Sequence, residues 1–462
     1  MGSLSSSLNI AIGSMLADEG ALATTSNNIA NVNTPGYSRQ RANLAENSPV
    51  EIGGINYGTG VQLQDVTSLR DSILDLRVNQ ETQQQGQLNA FISGGQQIQT
   101  LFNETAGTGL QAPISAFFNS FQQLSVNPTD PNARQSVITS AQNLASALNQ
   151  ASTNLTTQQQ NTDLEVKQSV GQINSLTSQI AQVNLEISGA LGSGSNPGPF
   201  IDQRQQLINQ LSGYVDVSEV DAGNGNITLT TSNGTPLVVG GQSFAFTTQA
   251  DPTTGLQDVY SGSSNITSQL TSGQLAGQLQ IRDQEIPAIR NSLDSLAYNL
   301  SNAVNTQAEQ GYDLNGAAGG PLFTPLASQT GAAAALSVAI TDPSKIAASG
   351  SAAAGSAGDN QNANALFALQ NQQIVNGQTP LGYYSGIVFK IGNDVATAQT
   401  QQQSGSLVLQ QLQNLQGGVS GVDLNEEAAN LIQFQNAYQA SAQVSSVIDS
   451  LMQTTINMVS GS

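Results

Sequence analysis

Apolar residues recur at sevens near both ends of this chain. Near the start, Leu8, Met15, Leu22 and Ile29 stand at strict seven-residue intervals, with Leu4, Ala11 and Thr25 on a neighbouring row that Asp18 interrupts. Seven residues are close to two helical turns, so each row marks one face of a helix. The pattern predicts an amphipathic helix over 4–29, about 39 Å long at 1.5 Å per residue. It stops in an Asn-rich stretch followed by Thr34-Pro35-Gly36-Tyr37. Pro35 presets the first central angle of a turn, and Gly36 supplies the positive φ that a type II turn needs at its second.

The far end mirrors this. Leu424, Leu431 and Tyr438 form one row, and Ala437, Val444, Leu451 and Met458 a second beside it. Asp423 followed by Glu426 suits a capping-box-like start, with Glu426 and Glu427 at the positive end of the helix dipole. An isolated amphipathic helix is only marginally stable in water, so each terminal helix needs a partner.

Between the ends, Val166, Ile173, Ile180 and Ile187 repeat at sevens with Leu176 and Val183 between them, which predicts a long coiled-coil-like helix. A second stripe runs Ile286, Ile289, Leu293, Leu296, Leu300, Val304, and shorter helical patterns cover 66–104, 110–125, 361–375 and 387–415. Such stripes suit an ordinary intramolecular bundle as well as an assembly surface, and periodicity does not decide between them. Residues 214–280 break the helical pattern. Ile227, Leu229 and Thr231 alternate with polar neighbours, Asn233-Gly234 suits a hairpin turn into Leu237–Val239, and Gly240-Gly241 leads to Phe244 and Phe246. The Gly/Ser/Pro-rich 189–199 and the Ala/Gly/Ser run 347–358 read as a hinge and a loop. The expected fold is mainly α with a small β insert. The expected subunit is elongated and multi-domain, with paired N- and C-terminal coiled-coil-like helices. Its expected parts are a terminal helical domain of 1–60 and 416–462, a helical body of 61–213 and 281–415, and a β outer domain of 214–280. Being read as self-contained, the last is expected to be removable.

Composition narrows the chemistry. With 31 acidic and 11 basic residues among 462, the net charge is −20, which opposes a nucleic-acid partner. There is no Cys and no His, which removes disulfides, thiolate nucleophiles, Ser-His pairs and ordinary zinc sites. Lys167, Lys345 and Lys390 each follow a residue other than Gly, so no phosphate-binding GxxxxGK loop exists. No apolar run approaches a membrane span. The first basic residue is Arg39, so no charged region opens a signal peptide and any export is expected to use another route. Among acidic residues, Asp18-Glu19 and Glu426-Glu427 point apart on their helices, and nothing in the spacing of Asp216, Glu219, Asp221, Asp251 and Asp258 selects a catalytic pair. GNGN at 223–226 and DLNG at 313–316 lack the final acidic residue of a calcium loop and read as turns. No cofactor, metal or catalytic residue is expected.

The words themselves are more specific than the pattern. SNNIANVNTPGYSRQ at 26–40 resembles the N-terminal signature of flagellar axial proteins, the rod, hook and hook-associated family. Its continuation Gly36-Tyr37-Ser38-Arg39-Gln40 is more like the hook-associated protein 1 family than rod or hook proteins. GVDLNEEAANLIQFQNAYQASAQVSSVIDSLMQTTINMV at 421–459 resembles the matching end, and GYDLNGAAGGPLF at 311–323 and GDNQNANALFALQN at 358–371 resemble internal segments. The resemblance covers about a third of the chain; Ala308 stands where related sequences tend to carry His. It implies a non-enzymatic subunit joining hook to filament, with terminal helices paired antiparallel in the inner layer of a homo-oligomeric tube. Implied partners are hook protein, a second hook-associated junction protein and an export chaperone at the C-terminal helix. The implied location is extracellular, in the flagellum, after export through its channel. The interface is expected at Leu8, Met15, Leu22, Asn27, Asn28, Ile29, Asn31, Pro35, Gly36, Tyr37, Leu424, Leu431, Tyr438, Val444, Leu451 and Met458. Another axial subunit, a secreted helical adhesin or effector, and an enzyme in the insert stay open as alternatives.

Overall fold

A computed structural model describes residues 2–460 except 53, 224, 354 and 355. Asn224 of the GNGN string, Ala354 and Gly355 of the 347–358 run, and Met1, Gly53, Gly461 and Ser462 of the terminal domain therefore lie outside the described residues. In chain order, helix α1 (Gly2–Ala30) is followed by strands β1 (Gln40–Glu46), β2 (Val50–Ile52), β3 (Ile55–Tyr57) and β4 (Val61–Ser68). Helices α2 (Ser72–Leu101), α3 (Gln111–Val126), α4 (Pro131–Gly192) and α5 (Gly198–Tyr214) come next. Strands β5 (Ser218–Gly223), β6 (Asn226–Thr230), β7 (Pro236–Val239), β8 (Gln242–Ser243), β9 (Phe246–Ala250), β10 (Gln257–Ser261) and β11 (Ser264–Asn265) fill the β region. Then come α6 (Gly273–Gln280), a π-helical turn (Ile281–Glu285), α7 (Ile286–Glu309), short α8 (Ala332–Ala335), α9 (Gln361–Ala368), α10 (Pro380–Ser420) and α11 (Leu424–Ser460). The chain is mainly helical, as its periodicity predicts.

It divides into two compact units, one of Met1–Gln84, Gln172–Phe246 and Gly405–Ser462, the other of Gln85–Gly171 and Thr247–Ser404. This division cuts across the three parts expected from the hydrophobic pattern. The 214–280 region is two sheets: β5-β6-β7-β8 belongs to the first unit, while β10 and β11 lie in the second. Nor is the first sheet self-contained. Asn184 of α4 donates to the Gly240 carbonyl (2.8 Å), Ser188 to Asn226 (3.0 Å), and Gln83 of α2 to the Val217 carbonyl (2.9 Å). Ile227, Leu229, Leu237 and Val238 are buried, so deleting 214–280 would strip apolar cover from this unit. We expect removal of 214–280 to destabilise this unit. The Gly240-Gly241 turn forms as expected, with Val239 paired to Gln242, and Gly234 takes φ +82° in the loop between β6 and β7.

The second unit has the larger apolar core. Phe117 packs against Phe118, Phe121 and Phe323 with ring centroids 5.2, 5.3 and 5.5 Å apart. Around them lie Val137, Leu144 and Leu148 of α4 and the whole stripe Ile286, Ile289, Leu293, Leu296, Leu300, Val304 of α7. The Val166, Ile173, Ile180, Ile187 row of α4, which from Ile173 onward belongs to the first unit, is fully buried too. For α4 and α7, then, the seven-residue rows are intramolecular core. Arg282, in the π-helical turn, is only 1% exposed and donates to Asp163 (2.6 Å), Asp283 (2.7 and 2.9 Å) and the Gln257 carbonyl (2.6 Å).

The first unit holds the two chain ends. In α1, Gly13 and Gly20 let β4 approach closely. A Cβ on Gly13 would sit 3.3 Å from the Val61 carbonyl oxygen, and one on Gly20 would sit 2.6 Å from Leu63 Cδ2. β1 and β4 pair antiparallel, with a register shift after Asn43 that leaves Gln64 as an extra residue.

Candidate assembly site at the paired chain ends

Helices α1 and α11 lie side by side and antiparallel. At one end Asn28 of α1 donates to Glu427 of α11 (3.0 Å), and at the other Leu4 and Ser5 share an apolar notch with Met452, Thr455 and Ile456. Along α11 the inward positions are Glu427, Leu431, Phe434, Tyr438, Ser441, Ser445, Ile448, Met452 and Thr455, a 4-3 alternation that is the mark of a two-helix seam. On α1 the deepest positions are small or polar: Ala11, Ala17, Asp18, Ala21, Thr24, Thr25 and Asn28. The expected row Leu8, Met15, Leu22, Ile29 is only half-buried. Ala11, Asp18 and Thr25, the neighbouring row, carry the seam, because small side chains are what close helix and strand neighbours leave room for.

The signature after α1 folds into a knot of polar contacts. Tyr37 closes the turn by donating its N–H to the Thr34 carbonyl (3.2 Å), and Gly36 takes φ +75° as the type II reading requires. A Cβ at Gly36 would also lie 2.1 Å from Gln206 Nε2, whose amide donates to the Pro35 carbonyl. Asn31 donates to the Asn27 side chain and carbonyl, capping the helix end (2.9 and 3.0 Å).

Asn28 is the hub. Its Nδ2 donates to the Gln40 carbonyl (2.8 Å) as well as to Glu427, while its Oδ1 accepts from the Gln40 N–H (2.9 Å) and the Tyr37 hydroxyl (2.8 Å). Burial, then the negative charges of Asp202 and Glu427, push the Tyr37 hydroxyl up to about 12, so it stays protonated and donating at physiological pH. Arg39 completes the join: Nε reaches Glu427 at 2.7 Å and Nη2 reaches Glu426 at 2.6 Å, while its N–H donates to the Ser420 carbonyl (2.8 Å). From the other side, Asp202 of α5 accepts from the Ser38 N–H (3.0 Å) and Arg70 (2.7 Å), and Asn196 donates to Gln40 (3.1 Å).

Of the expected interface residues, the structure brings Asn27, Asn28, Asn31, Pro35, Gly36 and Tyr37 into this knot. Leu431 and Tyr438 fall in the helix seam, whereas Leu424, Val444, Leu451 and Met458 stay exposed on the outer side of α11. Pattern reading missed the pairing of Arg39 with Glu426 and Glu427. The acids do sit in the first turn of α11, where Asp423 accepts from the Asn425 and Glu426 N–H groups, but their side chains serve the arginine. The available signal was a basic residue in one signature and two adjacent acids in the other, in a chain with few cations.

Asp216 and Glu219 lie in one unit and Asp251 and Asp258 in the other, and among the described residues no three acidic side chains cluster as a metal site would require. Nor is any helix among them long and apolar enough to cross a membrane.

Known proteins match along the chain. The description "Flagellar hook-associated protein FlgK helical domain" fits residues 95–323, "Flagella basal body rod protein" fits 8–37, and "Flagellar basal body rod FlgEFG protein C-terminal" fits 416–458. The chain is 30% identical to flagellar hook-associated protein 1 of Escherichia coli over 98% of its own length and 100% of the relative's. It is 31% identical to that of Bacillus subtilis over 96% of each. The fold is similar to that of the flagellar hook junction protein FlgK from Burkholderia pseudomallei, with a TM-score of 0.66 at 21% identity, over 74% of this chain and 100% of that one. With its two ends matching rod-type descriptions and nearly its whole length matching these relatives, the chain belongs to the flagellar hook-associated protein 1 family.

Proposed function

We propose that this chain is a structural subunit of the bacterial flagellum that joins hook to filament. The carrying observation is the outer face of α11: Val444, Leu451 and Met458 are 52%, 50% and 72% exposed in the single chain, on a helix whose inner face already holds α1. A row of apolar side chains left open along a paired terminal helix suits packing against further copies in a tube. The 1–60 and 416–462 segments form the inner layer, and the remainder lies outside it. Hook protein contacts one face of the junction and a second hook-associated protein the other. Before assembly, the same outer row of α11 is covered by an export chaperone, helix in groove, during export through the flagellar channel. The chain works in the flagellum outside the cell and catalyses nothing.

The test is a Val444→Asp, Leu451→Asp double variant. Both side chains are exposed in the free chain, so its helix content and melting temperature should match those of the unaltered protein. Charges pressed into an apolar contact cost several kcal/mol, on the order of 3 or more, so assembly should fail. Electron microscopy of cells making the variant should show hooks without filaments, and calorimetry should show loss of chaperone binding. Normal filaments on such cells would sink the reading; intact chaperone affinity alone would move the chaperone to another surface.

A further inference from the structure

The seam between α1 and α11 contains one group that the join does not use. Asp18 sits seven residues from both Ala11 and Thr25, on the row that faces into the pair, and is 8% exposed. Among the described residues no hydrogen bond or ion pair reaches its carboxylate, although α1 is packed against α11, β1 and β4. The two ends of the pair fix the register: with Asn28 against Glu427 and Leu4 beside Met452 and Thr455, Asp18 is about level with Tyr438 and Ser441. Charged groups on the packed elements lie elsewhere. Glu426 and Glu427 are engaged with Arg39 at the Asn28 end, Asp449 is exposed, Asp65 of β4 accepts from Asn43, and Arg41 and Glu46 stand on β1. Tyr438 is the titratable group of α11 at the level of Asp18.

An ionised carboxylate in such a place loses part of its hydration without gaining a partner, which weakens the folded arrangement. We propose that Asp18 is a built-in weakener of the terminal helix pair, keeping α1 and α11 separable at neutral pH, and that neutralising this side chain locks them together. A seam that opens at one polar step can exchange its partner helix without unfolding the strands and helices behind it. Burial alone raises the proton affinity of Asp18 above its ordinary value. The pair therefore binds a proton more tightly than the separated helix does, so its stability is greatest at low pH. That stability is lost as pH rises from the ordinary carboxylate range through the raised value.

The experiment is hydrogen exchange, followed by mass spectrometry, on the full chain at pH 5 and pH 7.5, corrected for the intrinsic rate. In the unaltered protein, amides of 431–452 should be better protected at the lower pH, on the order of a few-fold. Asp18→Asn should remove this dependence and give strong protection at both values. Asp18→Ala, which matches Ala11 and Ala21 in size and has no polar demand, should do the same. Glu19→Gln, on the exposed side, should behave as the parent. Loss of protection on acidification, or Asp18 variants that keep the parent's protection and pH response, would overturn the assignment.

Discussion

Glu427→Ala should detach α11 from the signature that follows α1. The carboxylate is 1% exposed and holds Asn28 at 3.0 Å and Arg39 at 2.7 Å, two partners from a segment almost four hundred residues away. Its removal leaves a largely buried guanidinium with only the exposed Glu426 and leaves one amide hydrogen of Asn28 unmatched. Breaking one side of such a contact costs about 3–5 kcal/mol, much of it the penalty of the abandoned charge. Because the rest of the first unit does not depend on this carboxylate, the loss should be local. Exchange protection should fall in α11 and in residues 28–40, while that of α4 and α5 stays as it was. Glu427→Gln keeps the shape and an acceptor and should lose less. Uniform loss of protection throughout the unit would show that the join is part of its core.

Arg282→Met should be similarly damaging in the second unit. Its guanidinium makes ion pairs with Asp163 and Asp283, and the Gln257 carbonyl accepts another of its protons. Asp163 also accepts from the Gln257 N–H (2.8 Å), and Gln159 donates to the Arg282 carbonyl (2.8 Å), so the arginine ties α4 and the start of β10 to the π-helical turn. π-helical turns are held by what surrounds them, since their own backbone geometry is unfavourable. A methionine fills the space but leaves Asp163 without its cation, at a cost of about 3–5 kcal/mol. The urea midpoint of the second unit should fall, and limited proteolysis should cut first between Asp251 and Gln269. An unchanged midpoint would mean that the strands are held by their apolar contacts alone.

How far the chain could be read without coordinates depended on what kind of residue did the packing. Where large aliphatic side chains fill a core, as in the α4 and α7 rows, periodicity named the buried residues correctly. In α1 it selected Leu8, Met15, Leu22 and Ile29, whereas the deepest positions are alanines, threonines, an asparagine and an aspartate, whose burial follows from available space and not from apolarity. The β1–β4 ladder escaped notice because the extra residue at Gln64 breaks the alternation of Val61 and Leu63 before it can extend. The β region was recognised, but not its division, since strand pattern does not say which helices a sheet covers. At the join, the turn at Gly36 was legible from local rules, while the Arg39–Glu427 pairing required two segments to be set side by side.

The close approach of β4 to Gly13 and Gly20 has a bearing on how this region varies. Most protein surfaces are probed by trimming side chains back to alanine, and here that procedure runs in reverse. At Ala17 the substitution is silent by definition, and at the two glycines it adds atoms where Leu63 and the Val61 carbonyl already stand. A scan of α1 by enlargement, with valine as the probe, would therefore report a contact that truncation passes over, and tolerance along the helix should follow residue volume more closely than polarity. Relatives that carry a bulkier residue at position 20 should show a smaller one at position 63, a compensation that a survey of natural sequences can look for directly.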